Sequence, residues 1–330
     1  MLTSLHIQEF KGLRDINIPE LRKVNLVLGG HNVGKTSLLE AVVFVAGDFY
    51  ENNESGARSR LAEMFRPCEG KDRLRFWRNL VGTEHSPTRV LVSATVDSVE
   101  QSVGIRSNND KSEKLLEIKV EGDEIAKLYF STTDKFYFLN VLGSVNPQPF
   151  PSFLKSALDQ VELYGQLVTG RRKKLVLKLM QKIDCRLESI DAVAPDGEHR
   201  VYVELVDGNR LLPLSELGHG FTRLFELYAG LAVTASKLAL IDEIENGIHY
   251  SALPTLFQGV RELSESNGVQ SIITTHSCEC IRAAYETFAH ADSLKDLQLI
   301  RLERDGDKIR AVVINDEALK TVMEAGYEIR

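Results

Sequence analysis

Gly29-Gly30-His31-Asn32-Val33-Gly34-Lys35-Thr36 decides the fold. It matches GxxxxGK[ST] at every fixed position, and its setting matters as much as its letters. Lys23 to Leu28 (KVNLVL) reads as a short buried strand before it, and Lys35 to Ala46 has helical spacing after it, with Leu38, Leu39, Val42, Val43 and Ala46 as core positions. Glycines let a backbone wrap an anion with its N–H groups, and the helix behind points its positive end at the same place. The spacing therefore predicts a phosphate cradle made by Gly29, Gly30, Asn32, Val33, Gly34 and Ser37, with Lys35 on the β- and γ-phosphates of ATP and the Thr36 hydroxyl on Mg²⁺.

A second stretch, Leu238-Ala239-Leu240-Ile241-Asp242-Glu243, is an apolar strand that ends in two acids. Ligands of open α/β sheets bind at the carboxyl ends of strands. Asp242 is expected to hold Mg²⁺ and Glu243 to orient and polarise the attacking water; with Lys35 and His276 it makes the catalytic set. Glu245 adds a third carboxylate with no assigned role.

Two further segments narrow the class. Leu214-Ser215-Glu216-Leu217-Gly218-His219-Gly220 precedes a helix expected over Gly220 to Thr234. It resembles the ABC signature, which implies that Ser215, Gly218 and Gly220 face the γ-phosphate bound by an opposite subunit. Ile272 to Ser277 (IITTHS) is a buried strand ending near His276, which resembles the ABC switch histidine.

The opening LHIQEFKGL (Leu5 to Leu13), followed by GGHNVGKTSLLEAV, resembles the ATPase heads of RecF and the SMC proteins. LSELGHGFTRLFEL, LALIDEIENGIHYSAL, VQSIITTHS and LIRLERDGDKIRAV resemble the ATPase domain of OLD (overcoming lysogenization defect) proteins and their stand-alone relatives. The resemblance covers both ends of the chain; about Glu51 to Leu212 matches in layout only. It implies that Lys11 touches the nucleotide, that Asn32 belongs to a GxNxGKT variant, and that Asn246 and His249 meet a partner subunit. The sequence departs from the family in having SELGHG for LSGGQ, in giving no clear Q-loop glutamine beyond Gln101, and in lacking long coiled-coil arms and a following Toprim nuclease domain.

The expected fold class is α/β, an ABC-type P-loop NTPase with a mostly parallel core sheet, a flanking antiparallel β lobe and a short helical lobe. We read 1–330 as a single ATPase domain: 1–50 P-loop core, 51–150 insertion and antiparallel lobe, 151–212 helical lobe, 213–297 signature, Walker B and switch core, 298–330 hairpin and helix. Within this, Arg60 to Phe65 reads as a helix. Arg89 to Val96, Leu115 to Val120, Ile125 to Ser131 and Lys135 to Val141 read as strands, and Phe153 to Ile190 as a helical stretch interrupted near Gly165 and Gly170. Tyr250 to Ser266 and a segment from Cys278 read as helices, Gln270 to Thr274 as a strand, and Asp305-Gly306-Asp307 as a hairpin turn before a short helix that Asn315 caps.

The net charge of −7 argues against wholesale non-specific nucleic-acid binding. Arg171-Arg172-Lys173-Lys174 with Lys178 and Lys182 forms a basic helix, read either as a solvated face or as a contact to a nucleic-acid backbone. Cys68, Cys185, Cys278 and Cys280 fit neither a disulfide framework nor a zinc pattern, and no apolar run is long enough to span a membrane. The first strand carries His6, Gln8, Glu9 and Lys11, which no signal peptide does. A cytoplasmic protein is expected, with ATP and Mg²⁺ as cofactors and a homodimer or higher oligomer as the working form. A separately encoded effector such as a nuclease, in DNA repair or phage defence, is the partner the OLD resemblance implies. A RecF-like DNA-binding clamp is the alternative, and a transporter subunit the third.

Overall fold

The computed structural model describes residues 1–46, 89–107, 113–131, 147–195, 197–206, 208, 210–306 and 308–324. The expected helix at Arg60 to Phe65 and strand at Lys135 to Val141 lie outside them.

The centre is a six-stranded sheet in the order β15-β14-β3-β13-β12-β8. Here β3 is Val24–Leu28, β8 Gln148–Phe150, β12 Leu238–Ile241, β13 Gln270–Thr274, β14 Leu297–Asp305 and β15 Lys308–Ile314. All neighbours run parallel except the β14/β15 hairpin. A second six-stranded sheet, all antiparallel, has the order β2-β1-β4-β5-β6-β7, built from Leu2–Phe10 (β1), Leu13–Ile18 (β2), Arg89–Val96 (β4), Val99–Ser107 (β5), Glu113–Val120 (β6) and Asp123–Ser131 (β7). A three-stranded antiparallel sheet joins β9 (Leu187–Val193), β10 (Arg200–Leu205) and β11 (Leu212–Pro213). The expected α/β class, with a mostly parallel core and flanking antiparallel strands, is what the chain adopts.

Parity explains the layering. Side chains alternate across a strand, so a strand buried on both faces feeds two cores. Leu238 and Leu240 of β12 join the core shared with the antiparallel sheet and helix α1 (Lys35–Ala46). Ala239 and Ile241 join the core shared with the other helices. Those are α2 (Ala157–Thr169), α3 (Lys173–Gln181), α4 (His219–Val233), α5 (Leu253–Asn267) and α6 (Cys278–His290), with α7 (Asp316–Glu324) closing the chain described. Helix α1 packs between the two large sheets, and every residue from Leu38 to Ala46 is buried. A helix enclosed this way needs apolar groups all round, which LLEAVVFVA (Leu38 to Ala46) supplies with one exception. That exception, Glu40, pairs with the Lys11 ammonium.

Several expectations need correction. The 153–190 stretch is not one interrupted helix: Gly165 lies inside α2, the break falls at Gly170 to Arg172, and Leu187 to Ile190 belong to strand β9. Tyr164, Leu163 and Leu167 hold α2 together across Gly165 by packing on the lobe core. Strands β2 and β5 were not expected, since each is short of apolar residues on its outer face. Pro147-Gln148-Pro149 reads as a break, yet Gln148 to Phe150 pairs with β12. Proline is tolerated there because β8 is an edge strand and its missing N–H costs no ladder bond. Tyr250 to Ala252 is a 3₁₀ turn, and the α-helix starts at Leu253 with Pro254 in its first turn. No helix among the described residues is long and apolar enough to cross a membrane.

Candidate nucleotide site

β3 ends at Leu28, and residues 29–34 turn the chain into α1. Gly34 has φ 88°, and an added Cβ would come 2.7 Å from Leu13 Cδ2, so both conformation and the approach of β2 require glycine. Asn32 takes the left-handed conformation at φ 58°, which asparagine tolerates better than most residues.

Above the turn is a cavity of about 610 Å³, lined by His31 to Ser37, by Asp242 and Glu243, by Gly12 to Arg14 of the β1–β2 turn, and by Arg304 and Ile309 of the β14/β15 hairpin. The size suits a nucleotide-scale ligand. It lies at the carboxyl ends of β3 and β12, which the sheet order separates by only β13.

Lys35 Nζ donates to the carbonyl oxygens of Gly29 and Gly30, both at 2.8 Å. Burial lowers its pKa, and the charges of Glu243, Asp242 and Glu245 oppose that shift. Thr36 Oγ1 donates toward Asp242, 3.2 Å from Oδ1 and 3.4 Å from Oδ2. Thr274 Oγ1 donates to Asp242 Oδ1 at 2.7 Å, and the same hydroxyl accepts the Glu243 N–H at 2.8 Å. Burial raises the Asp242 pKa; bonds from Thr274 and Thr36 and the charges of Lys35 and Arg223 pull it back. Arg223 of α4 lies under this turn, 1% exposed, and its Nη2 points at the Asp242 carbonyl at 3.4 Å.

Glu243 has φ 44°, a costly conformation for a side chain with a Cβ. It is held by its N–H bond to Thr274 and by the Ile244 N–H on the Thr274 carbonyl at 3.2 Å. The Thr36 hydroxyl and Asp242 carboxylate offer hard oxygen donors side by side. That set fits Mg²⁺, which takes one or two protein ligands and fills its shell with water and phosphate.

His276 follows β13. Its ring lies 5.6 Å from the His31 ring of the phosphate turn, and Glu245 Oε1 accepts its backbone N–H at 3.0 Å. Ser215 sits in a 3₁₀ turn, Leu214 to Leu217, and Gly218 and Gly220 at the start of α4. None of these three lines the cavity of their own chain. Asn246 Nδ2 donates to the Ser152 carbonyl at 2.9 Å, and His249 Nδ1 lies 2.9 Å from Ser251 Oγ.

Lys11 is directed elsewhere: its ammonium bonds the buried Glu40 carboxylate, and it is not among the lining residues. Arg14, three residues on, lines the cavity instead, as does Arg304, whose Nη2 reaches the Asn32 carbonyl at 3.4 Å. Gln101, the Q-loop candidate, is 4% exposed in β5 and donates to the Val45 carbonyl at 2.9 Å, which ties down the end of α1. It takes no part in the cavity. The sequence does not single out Thr274, Arg14 or Arg304, and it offers Glu245 without a role. The available signal for Thr274 was a Thr-Thr pair directly after Ile272-Ile273, at the carboxyl end of β13.

Comparison with known proteins agrees with this geometry. A family model described as "AAA domain, putative AbiEii toxin, Type IV TA system" matches residues 83–281, and the chain belongs to that family. The matched segment holds Asp242, Glu243 and His276 and begins after the phosphate turn. An "ATP/GTP phosphatase" of Helicobacter pylori is 22% identical over 92% of this chain and 93% of its own length. Among solved structures, the Smc head bound to the C-winged helix domain of ScpA superposes with a TM-score of 0.60 at 12% identity, covering 96% of this chain and 98% of that one. The Smc head with an extended coiled coil, bound to the C-terminal domain of ScpA derived from Pyrococcus furiosus, gives 0.56 at 12%, covering 99% of each. The SMC head domain of Thermotoga maritima gives 0.52 at 13%, covering 96% and 99%. The fold is that of an SMC head, an ABC-type P-loop ATPase architecture.

Proposed function

We propose that this AAA-domain protein hydrolyses ATP to ADP and phosphate, with the nucleotide enclosed between two copies of the chain. One observation carries the reading. Lys35, Thr36, Asp242 and Glu243, drawn from opposite ends of the sequence, converge on one cavity, with Thr36 Oγ1 3.2 Å from Asp242 Oδ1. The curated relative of near-equal length, named for ATP and GTP phosphatase activity, supports it.

Chemically, the turn N–H groups and the start of α1 take the phosphates. Lys35 exchanges two backbone carbonyls for β- and γ-phosphate oxygens, trading neutral acceptors for charged ones. Thr36 and Asp242 would hold Mg²⁺, which neutralises charge on the phosphoryl oxygens when bound. Glu243, its backbone locked by Thr274, orients a water in line with the γ-phosphorus and draws off its proton. The water oxygen bonds phosphorus as the bridging β–γ bond breaks, and the leaving group is ADP.

The place of the segment from Ser215 to Gly220 supports closure by a second copy. Ser215, Gly218 and Gly220 lie outside it in their own chain, so their helix start is available to a partner's γ-phosphate. Neither copy alone surrounds the reacting group. Separate from catalysis, we read the ATPase as the regulatory half of a system with a separately encoded effector, a nuclease being the candidate, in DNA repair or phage defence. The family's description as a type IV toxin–antitoxin component fits a two-part system.

A second reading, an ATP-dependent DNA clamp without a nuclease, draws on Arg171, Lys174 and Lys178, which are exposed on or beside α3. The deciding experiment is phosphate release from the wild type together with native mass of tagged Glu243→Gln protein, each purified from its own host and measured with and without ATP-Mg²⁺. Wild-type turnover and ATP-linked doubling of mass support the two-copy ATPase; a co-purifying protein names the effector. Absence of wild-type turnover overturns the enzyme reading. DNA binding that falls steeply with salt and needs ATP moves the clamp ahead.

A further inference from the structure

Glu245 has no part in phosphate or cation binding as read above, yet its carboxylate is 12% exposed and one oxygen, Oε2, is buried without a hydrogen-bond partner among the described residues. A carboxylate is costly to bury, so something nearby must offset the loss of water. The other oxygen does so. Glu245 Oε1 accepts the backbone N–H of His276 at 3.0 Å and stands 3.5 Å from its ring Nδ1. The ring itself is 42% exposed and touches the phosphate turn through His31.

The turn that carries Glu245 is fixed from several sides. Asn246 N–H bonds the Glu243 carbonyl at 2.9 Å and Ile248 N–H the Glu245 carbonyl at 2.9 Å. The Asn246 side chain bonds Ser152. Gly247 lies against the His219 ring so closely that a Cβ there would collide with it, and a Cβ on Gly220 would collide with the Gly247 carbonyl. The signature helix therefore seats on the same turn that aims Glu245 at His276.

We propose that Glu245 is the positioning residue of His276. It fixes the imidazole as the Nδ1–H tautomer, with Nε2 left as the edge that meets the γ-phosphate. Which nitrogen of a histidine carries the proton is set by the partner of the other one. A neutral ring that donates at Nδ1 presents a lone pair at Nε2, which accepts from the water set against the γ-phosphate. Glu243 acts on the water and Glu245 on the histidine, so two acids two residues apart have separate tasks. This rests on the ATPase reading above.

The test has two arms. In steady-state ATP hydrolysis, Glu245→Ala should lower kcat by roughly tenfold or more with KM for ATP within about twofold, because the contact acts on transition-state geometry and not on ground-state binding. His276→Ala should lose a similar amount, and the double variant should lose no more than the worse single one. Glu245→Gln keeps an oxygen for the His276 N–H and should recover most of the rate. In the second arm, ring nitrogen chemical shifts of ¹⁵N-histidine-labelled protein should report the Nδ1–H tautomer for His276 in wild type and Glu245→Gln, and loss of that preference in Glu245→Ala. A kcat for Glu245→Ala within twofold of wild type, losses that multiply in the double variant, or a His276 tautomer that ignores residue 245 overturns the proposal. If the wild type fails to hydrolyse ATP, the enzyme reading fails, and the tautomer still decides the Glu245–His276 pair.

Discussion

Thr274 Oγ1 donates to Asp242 Oδ1 at 2.7 Å while accepting the Glu243 N–H at 2.8 Å, so one hydroxyl on β13 sets both acids at the end of β12. Valine matches threonine in shape and cannot do either. Thr274→Val should cost about 1–3 kcal/mol of stability from the unpaired buried groups. It should also lower kcat by roughly 10- to 100-fold, since Glu243 loses the bond that supports its left-handed backbone. Urea unfolding and ATP turnover on one preparation measure both. A rate within twofold of wild type would show that Thr274 is structural only.

Lys35→Ala and Glu243→Gln should separate binding from chemistry. The first removes the charge that meets the phosphates and should weaken ATP binding by more than about tenfold. The second keeps affinity and should hold a closed dimer with uncleaved ATP. Equilibrium binding of a fluorescent ATP analogue, read beside native mass, checks the pair. Persistent turnover in clean Glu243→Gln protein would remove Glu243 from its role.

Arg14 and Arg304 face the cavity from two different sheets. Each Ala variant should raise KM for ATP about three- to tenfold with kcat nearly unchanged, the signature of lost uniform binding. Lys11→Ala should act instead on stability, because Glu40, 4% exposed, would be left without its cation. A larger KM effect at Lys11 than at Arg14 would restore the expectation from the sequence.

The helical lobe carries a pH-dependent clasp. Lys173 Nζ donates to Asp191 Oδ1 at 2.5 Å and Tyr164 OH to the same atom at 3.0 Å, joining α3, α2 and β9. Burial pushes the Asp191 pKa up, but the bonds from Lys173, Ser189 and Tyr164 outweigh it and leave the pKa below 3.8. A depressed carboxylate stabilises the fold above its unfolded value and loses that contribution as pH falls through its folded value. Both partners are about a third exposed, so solvent screening limits the effect to less than about 1 kcal/mol. The urea midpoint of Asp191→Asn should lie below wild type at pH 7, and the gap should narrow as pH is lowered past 3.8. A gap that stays constant would assign the loss to packing.

The phosphate turn was legible because its signal is local. Glycine spacing, the lysine and the flanking strand and helix all sit within residues 23–46, and no distant contact is needed to read them. Walker B was legible for the same reason, as an apolar run that ends in Asp242-Glu243. The strand errors came from segments whose apolar residues are ambiguous in period. Leu187 to Val193 follows a helix with no glycine or proline between, and only pairing with β10 makes it a strand. Gln148 to Phe150 has three prolines beside or within it, Pro147, Pro149 and Pro151, and becomes a strand only as the edge partner of β12.

What the sequence by itself determined, then, was each chemical group that a short motif carries: the cradle, Lys35, Thr36 and the paired acids. What the tertiary structure alone decided was who stands next to them. Placing β13 between β3 and β12 sets Thr274 against Asp242 and His276 against His31. Folding the β1–β2 turn and the C-terminal hairpin over α1 brings Arg14 and Arg304 to the cavity and sends Lys11 to Glu40. The physical reason is that these neighbours are separated by up to hundreds of residues along the chain, and a strand's partner is set by the order of the sheet, which no local pattern encodes.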